Sequence, residues 1–104
     1  RNSAGATDSG GTVASHLGLT AISRSTSAGY RTYKSGVKVA DVTRTSAAPV
    51  SANLVLHALN TSGTVNNFSA NRLAVAGVAS DLSDAEHLSL NSALVAFLTP
   101  IGAA

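Results

Sequence analysis

The 104-residue chain contains no cysteine, which excludes disulfide staples and thiolate metal sites. Only four residues are aromatic and 12% are charged. Nowhere does an apolar run approach the roughly 18 residues that a membrane-spanning helix requires. There are five acids, Asp8, Asp41, Asp81, Asp84 and Glu86. What the chain does have is small residues: 53 of its 104 are Ala, Ser, Thr or Gly, within an overall 44% hydrophobic content. That is enough apolar material for one domain with one core. A core of Ala, Val and Leu buries little area per residue, so a partner surface is expected to add stability. The chain opens with Arg1 and shows no basic-then-apolar leader, which reads as a processed product or an excised piece of a longer chain.

Residues 1–12 lack periodicity and contain a Gly-Gly pair, the pattern of a flexible linker or arm. The module proper is expected over 13–104. From 13 to 23 the apolar residues Val13, Leu17, Leu19 and Ala21 fall on odd positions, which predicts a half-buried strand. Tyr30–Lys34 and Val37–Arg44, joined by Ser35-Gly36, read as a hairpin. Asn53–Asn60, rich in Leu and Val on both faces, is expected to be a central strand. A polar loop over 61–67 then leads to Arg72–Ala79, again short, apolar and strand-like. At Ser83 the pattern changes. Ser83 and Glu86 form a capping box, with Asp84 and Glu86 favourably placed in a first helical turn. His87, Leu90, Leu94, Phe97, Leu98 and Ile101 recur at helical spacing, predicting an amphipathic helix over 83–99 with Leu90, Leu94 and Phe97 facing the sheet. The expected fold is mainly β: about five antiparallel strands and one C-terminal helix.

The hairpin, the central strand, the polar loop and above all the segment Arg72–Gly102 (RLAVAGVAS, then LSDAE, then a helix ending in LTPIG) resemble the C-terminal half of laminin-G-like, concanavalin-like jelly-roll domains of bacteriophage structural proteins. The resemblance spans residues 13–104 and includes no catalytic motif. It implies a partial jelly roll or β-sandwich with about half the strands of a whole one, the remainder supplied by another copy or another virion chain, since open sheet edges invite pairing. It also implies a place in the phage particle or on an exposed surface, with a trimer by analogy with phage appendages.

The residue types capable of chemistry are sparse. No two acids lie at alternate positions of an expected strand, so the paired carboxylates of glycoside hydrolysis are not suggested; helix capping accounts for Asp84 and Glu86. His16, His57 and His87 are far apart, without metal-ligand spacing. His57 reads as a core or interface residue of its strand, and His87 as a packing residue of the helix. Neither a Gly-x-Ser-x-Gly elbow nor a phosphate-cradling glycine loop occurs. No cofactor is suggested. Arg24, Arg31, Lys34, Lys38 and Arg44, with Tyr30 and Tyr33 among them, make a basic aromatic hairpin of the kind that contacts nucleic acid, but a net charge of +2 disfavours that partner. For a glycan, the candidate ligand residues are Tyr30 and Tyr33 as a platform, with Asn60, Asn66 and Asn67 as hydrogen-bonders. The expectation is therefore a non-enzymatic virion module, structural or glycan-binding. The alternatives are a nucleic-acid contact module and a glycan-cleaving relative.

Overall fold

A computed structural model describes residues 17–48, 53–61, 64–66, 68–70 and 72–103. The expected arm at 1–12, the start of the first strand with His16, and Asn67 lie outside the described residues. The coarse expectation holds: the protein has a three-stranded antiparallel sheet and a C-terminal helix. Strands β1 (Thr20–Ser23), β2 (Gly29–Lys34) and β3 (Val37–Thr43) form a meander in the order β1-β2-β3. A separate two-stranded sheet pairs β4 (Leu59–Thr61) with β5 (Thr64–Asn66). Helix α1 (Asp84–Leu98) follows, closed by a 3-10 turn over Thr99–Ile101.

The hairpin read from the sequence forms around a two-residue turn, since Lys34 pairs with Val37. Ser35 and Gly36 have φ of 50° and 79°. Two successive left-handed residues match the right-handed twist of the strands they join. Gly36 serves a second purpose, because a β-carbon there would lie 2.8 Å from Leu88 Cα and 2.9 Å from Asn91 Cβ. The tip of the hairpin thus presses against α1, and the absent side chain lets the helix in.

Further along the hairpin, Thr32 pairs with Ala40 but Tyr33 pairs with Lys38, leaving Val39 as an extra residue in β3. Lys38 and Asp41, three positions apart, would point to opposite faces of a regular strand. The bulge turns them to the same face, where Lys38 Nζ sits 3.1 Å from Asp41 Oδ2.

Two of the expected strands are not strands. Over 53–58 the chain is coil and bends, with only Leu59–Thr61 extended into β4. Within it His57 has φ of 58°, left-handed backbone rather than the strand interior expected for it. Leu54 and Leu56 are exposed, so the run that reads as a central strand is not covered on both faces. Residues 72–79 form no strand and are exposed throughout. Conversely, part of the expected polar loop is the β4–β5 hairpin. Apolar alternation marks strand competence, but a strand also needs a neighbour, and residues 53–58 and 72–79 have none among the described residues.

Helix α1 begins as its capping box dictates. Ser83 Oγ accepts from Glu86 N at 3.3 Å, and Glu86 Oε2 accepts from Ser83 N at 2.8 Å. Its inward line is rotated from the expected one. His87 is buried and Asn91, Leu94 and Leu98 are half-buried, an i, i+4, i+7, i+11 stripe. Leu90 and Phe97, expected to face the sheet, stand on its shoulder at 41% and 68% exposure. The hairpin tip sets this rotation by contacting Leu88 and Asn91.

Among the described residues, those buried are Ser23, Tyr30, Thr32, Tyr33, Gly36 and His87. The core is aromatic and polar rather than aliphatic. Replacing Gly36 by Ala adds both a left-handed penalty and a collision with helix backbone, and should lower stability by about 2–4 kcal/mol. The midpoint of urea unfolding checks this; an unchanged midpoint would contradict the contact between turn and helix.

Candidate functional site

The densest cluster of polar groups lies where the sheet meets the start of α1. Alternation along β2 directs Arg31 and Tyr33 to one face, and their cross-strand partners Ser23 and Asp41 share it. Arg31 Nη2 donates to both carboxylate oxygens of Asp81, at 2.9 and 2.8 Å, and to the carbonyl of Leu82 at 3.2 Å. Ser23 Oγ also donates to Asp81, while Leu82 N donates to Ser23 Oγ at 3.3 Å. Tyr33 Oη donates to Asp84 Oδ1 at 2.7 Å. Lys38 Nζ lies 3.7 Å from the other Asp84 oxygen. The side chains of β1, β2 and β3 thus close on the four residues 81–84 that lead into the helix.

The charges follow these contacts. Asp81 is held below the usual carboxylate range by the Ser23 hydroxyl and by Arg31. Asp84 is lowered by the Tyr33 hydroxyl and the neighbouring cations, and Glu86 by its capping bonds to Ser83. The hydrogen bond to Asp81 raises Arg31; that to Asp41 raises Lys38. Burial, then the bond to Asp84, pushes the Tyr33 phenol up to about 12. Beneath the cluster the Tyr33 ring stacks on His87 with centroids 3.6 Å apart and planes at 24°. His87 is 4% exposed and packs as expected, with neither ring nitrogen hydrogen-bonded to another described residue.

Both carboxylates are therefore ion-paired and hydrogen-bonded into the junction, an arrangement that fastens sheet to helix. The sequence reading assigned Asp84 to helix capping alone and missed Asp81 and Ser23 altogether. A signal was present: the basic residues of the hairpin are matched by acids on both sides of Ser83.

The candidate glycan residues are dispersed. Tyr30 and Tyr33 point to opposite faces of β2 and are 4% and 2% exposed. The Arg24 guanidinium lies 5.3 Å from the Tyr30 ring centre, and His87 covers Tyr33, so neither ring presents an open face for stacking. Asn60 and Asn66 belong to the separate sheet, opposite Val65 and Leu59 respectively. A shallow groove of about 280 Å³ opens beside Gly29, lined by Ser25, Thr26 and Thr43, with Tyr30, Arg31 and Asp41 also contributing. A second hollow, of about 470 Å³, lies between Arg72–Ala74 and Gly102–Ala103.

Among the described residues no group of three or more His, Asp or Glu is placed to hold a metal ion. No described helix is long and apolar enough to cross a membrane.

No family model, curated protein or solved structure matches the chain.

The junction makes stability depend on pH at both extremes. Depressed carboxylates contribute stability above their ordinary range, and this is lost as pH falls below about 4. A raised phenol contributes stability below an ordinary tyrosine's pKa of about 10, lost as pH climbs toward 12. Tyr33→Phe should cost about 1–2 kcal/mol near neutrality and flatten the decline between pH 10 and 12. Thermal melts of both proteins across that range check it; parallel declines would contradict the assignment.

Proposed function

We propose that the chain is a non-enzymatic structural module of a bacteriophage particle that works as a homo-oligomer. The observation that carries this reading is the placement of apolar residues. Among the described residues, fifteen large hydrophobics are exposed, while the only buried hydrophobics are Tyr30 and Tyr33. Leu90, Phe97 and Ile101 line the shoulder of α1, and Leu54, Leu56, Phe68, Leu73 and Val78 are exposed on the segments between the strands and the helix. A soluble monomer seldom leaves so much apolar surface uncovered, and in homo-oligomers the covering surface is supplied by symmetry. The resemblance to the second half of a phage jelly-roll domain fits this reading, with a neighbouring copy completing the partial sandwich and a trimer as the analogous stoichiometry.

Other readings find less support. Arg31 and Lys38, the centre of the basic hairpin, are consumed by acids of the same chain, which weakens the case for nucleic acid. Asp81 and Asp84 are engaged by hydroxyls and cations, which argues against a glycan-cleaving pair. Host-glycan adhesion is favoured by one observation, the hydroxyl-lined groove at Gly29. The chain should sediment as an oligomer at micromolar concentration. A well-dispersed monomer under those conditions would overturn the assembly reading, whatever the chain does with a glycan array.

A further inference from the structure

Residues 72–79 and strand β1 are complementary in what each lacks. The segment Leu73-Ala-Val-Ala-Gly-Val-Ala79 is apolar, uncharged and free of proline, with two β-branched residues, Val75 and Val78, among small ones. Leu73, Val75 and Val78 are 48%, 41% and 83% exposed. No backbone hydrogen bond joins residues 72–80 to another described residue. An exposed apolar stretch whose backbone groups have no partner among the described residues can serve as a donor strand for a sheet edge.

The sheet has two edges, and they differ. The β3 edge carries the charges of Lys38 and Asp41, the bulge at Val39 and the adjacent helix, the devices by which edge strands resist pairing. The β1 edge, Thr20-Ala-Ile-Ser23, carries neither charge, proline nor bulge, and among the described residues β1 pairs with β2 alone. Ile22 on it is 52% exposed.

We infer that a second copy of this chain adds residues 72–79 as a further strand on the open edge of β1, so that the oligomer is held by strand exchange. Direction favours exchange over pairing within one chain. Asp81 is bonded to Ser23, the last residue of β1, so the segment and its own β1 arrive at the same point and could lie side by side only in parallel. Between copies the antiparallel direction is open, and that ladder is the more stable. The inference rests on the homo-oligomer reading.

Val75→Pro removes a backbone donor from the segment without touching the sheet or helix. It should weaken self-association by at least about tenfold, a factor set by the loss of a hydrogen bond and the misfit of the ring. Val75→Thr, which keeps strand preference, should leave association intact, and Ile22→Lys should weaken it from the other side. Sedimentation velocity reads association, far-ultraviolet circular dichroism confirms that α1 is retained, and hydrogen exchange should show amides 73–78 protected in the wild type and exposed in Val75→Pro. An oligomer that persists in Val75→Pro and Ile22→Lys would overturn strand exchange while leaving the assembly reading in place. A monomeric wild type would overturn both. Protected 73–78 amides in a monomer would overturn the inference in favour of pairing within the chain.

Discussion

The docking of the helix on the three-stranded sheet depends on the junction of Arg31 with Asp81 and of Tyr33 with Asp84. A chain that is half Ala, Ser, Thr and Gly has few large side chains with which to dock a helix on a sheet, and this helix offers only one buried residue, His87. Directional bonds take over part of the work that apolar area does elsewhere. Arg31 spans both Asp81 oxygens and the Leu82 carbonyl, fixing the position of the linker before the helix begins. Ser83 and Glu86 then fix the direction in which it leaves.

Two backbone devices make that junction possible. The left-handed pair at Ser35-Gly36 closes the hairpin and removes the side chain that would push α1 away. The bulge at Val39 brings Lys38 to the same face as Arg31 and Asp41, adding a second cation beside Asp84. Charge on the hairpin is in this way balanced locally. Exposed ion pairs contribute little singly, but here they share partners with a buried tyrosine, whose stacking on His87 ties the polar cluster to the buried part of the helix.

The local parts of this fold were legible in the sequence. A capping box and a Ser-Gly turn are short-range signals, each satisfied by the residues that carry it, and both stand where they were read. The meander is local too, since each strand pairs with its neighbour in the chain. What was not legible depends on distant partners. Asn53–Asn60 and Arg72–Ala79 have the composition of strands, yet composition does not supply a pairing edge. The facing side of α1 was displaced because Gly36, more than fifty residues earlier in sequence, decides which residues approach the sheet. Asp81 escaped notice because its partners Ser23 and Arg31 are adjacent to it only in space. The two tyrosines read as a ligand platform because aromatic residues in a basic hairpin have that chemistry, but in a chain with four aromatics they were needed for the core.

A fold of this kind couples stability to association. When the described interior buries two tyrosines and a histidine while fifteen large hydrophobic side chains are exposed, much hydrophobic free energy remains at the surface, to be released by contact with another surface. Any binding confined to the folded form stabilises it in proportion to partner concentration. The polar junction then has a role that an aliphatic core would not fill as well: it specifies the orientation of helix and sheet, while leaving apolar groups at the surface for the proposed interface. Directional bonds give the described module its shape, and under the proposed assembly contact between copies would bury its apolar residues.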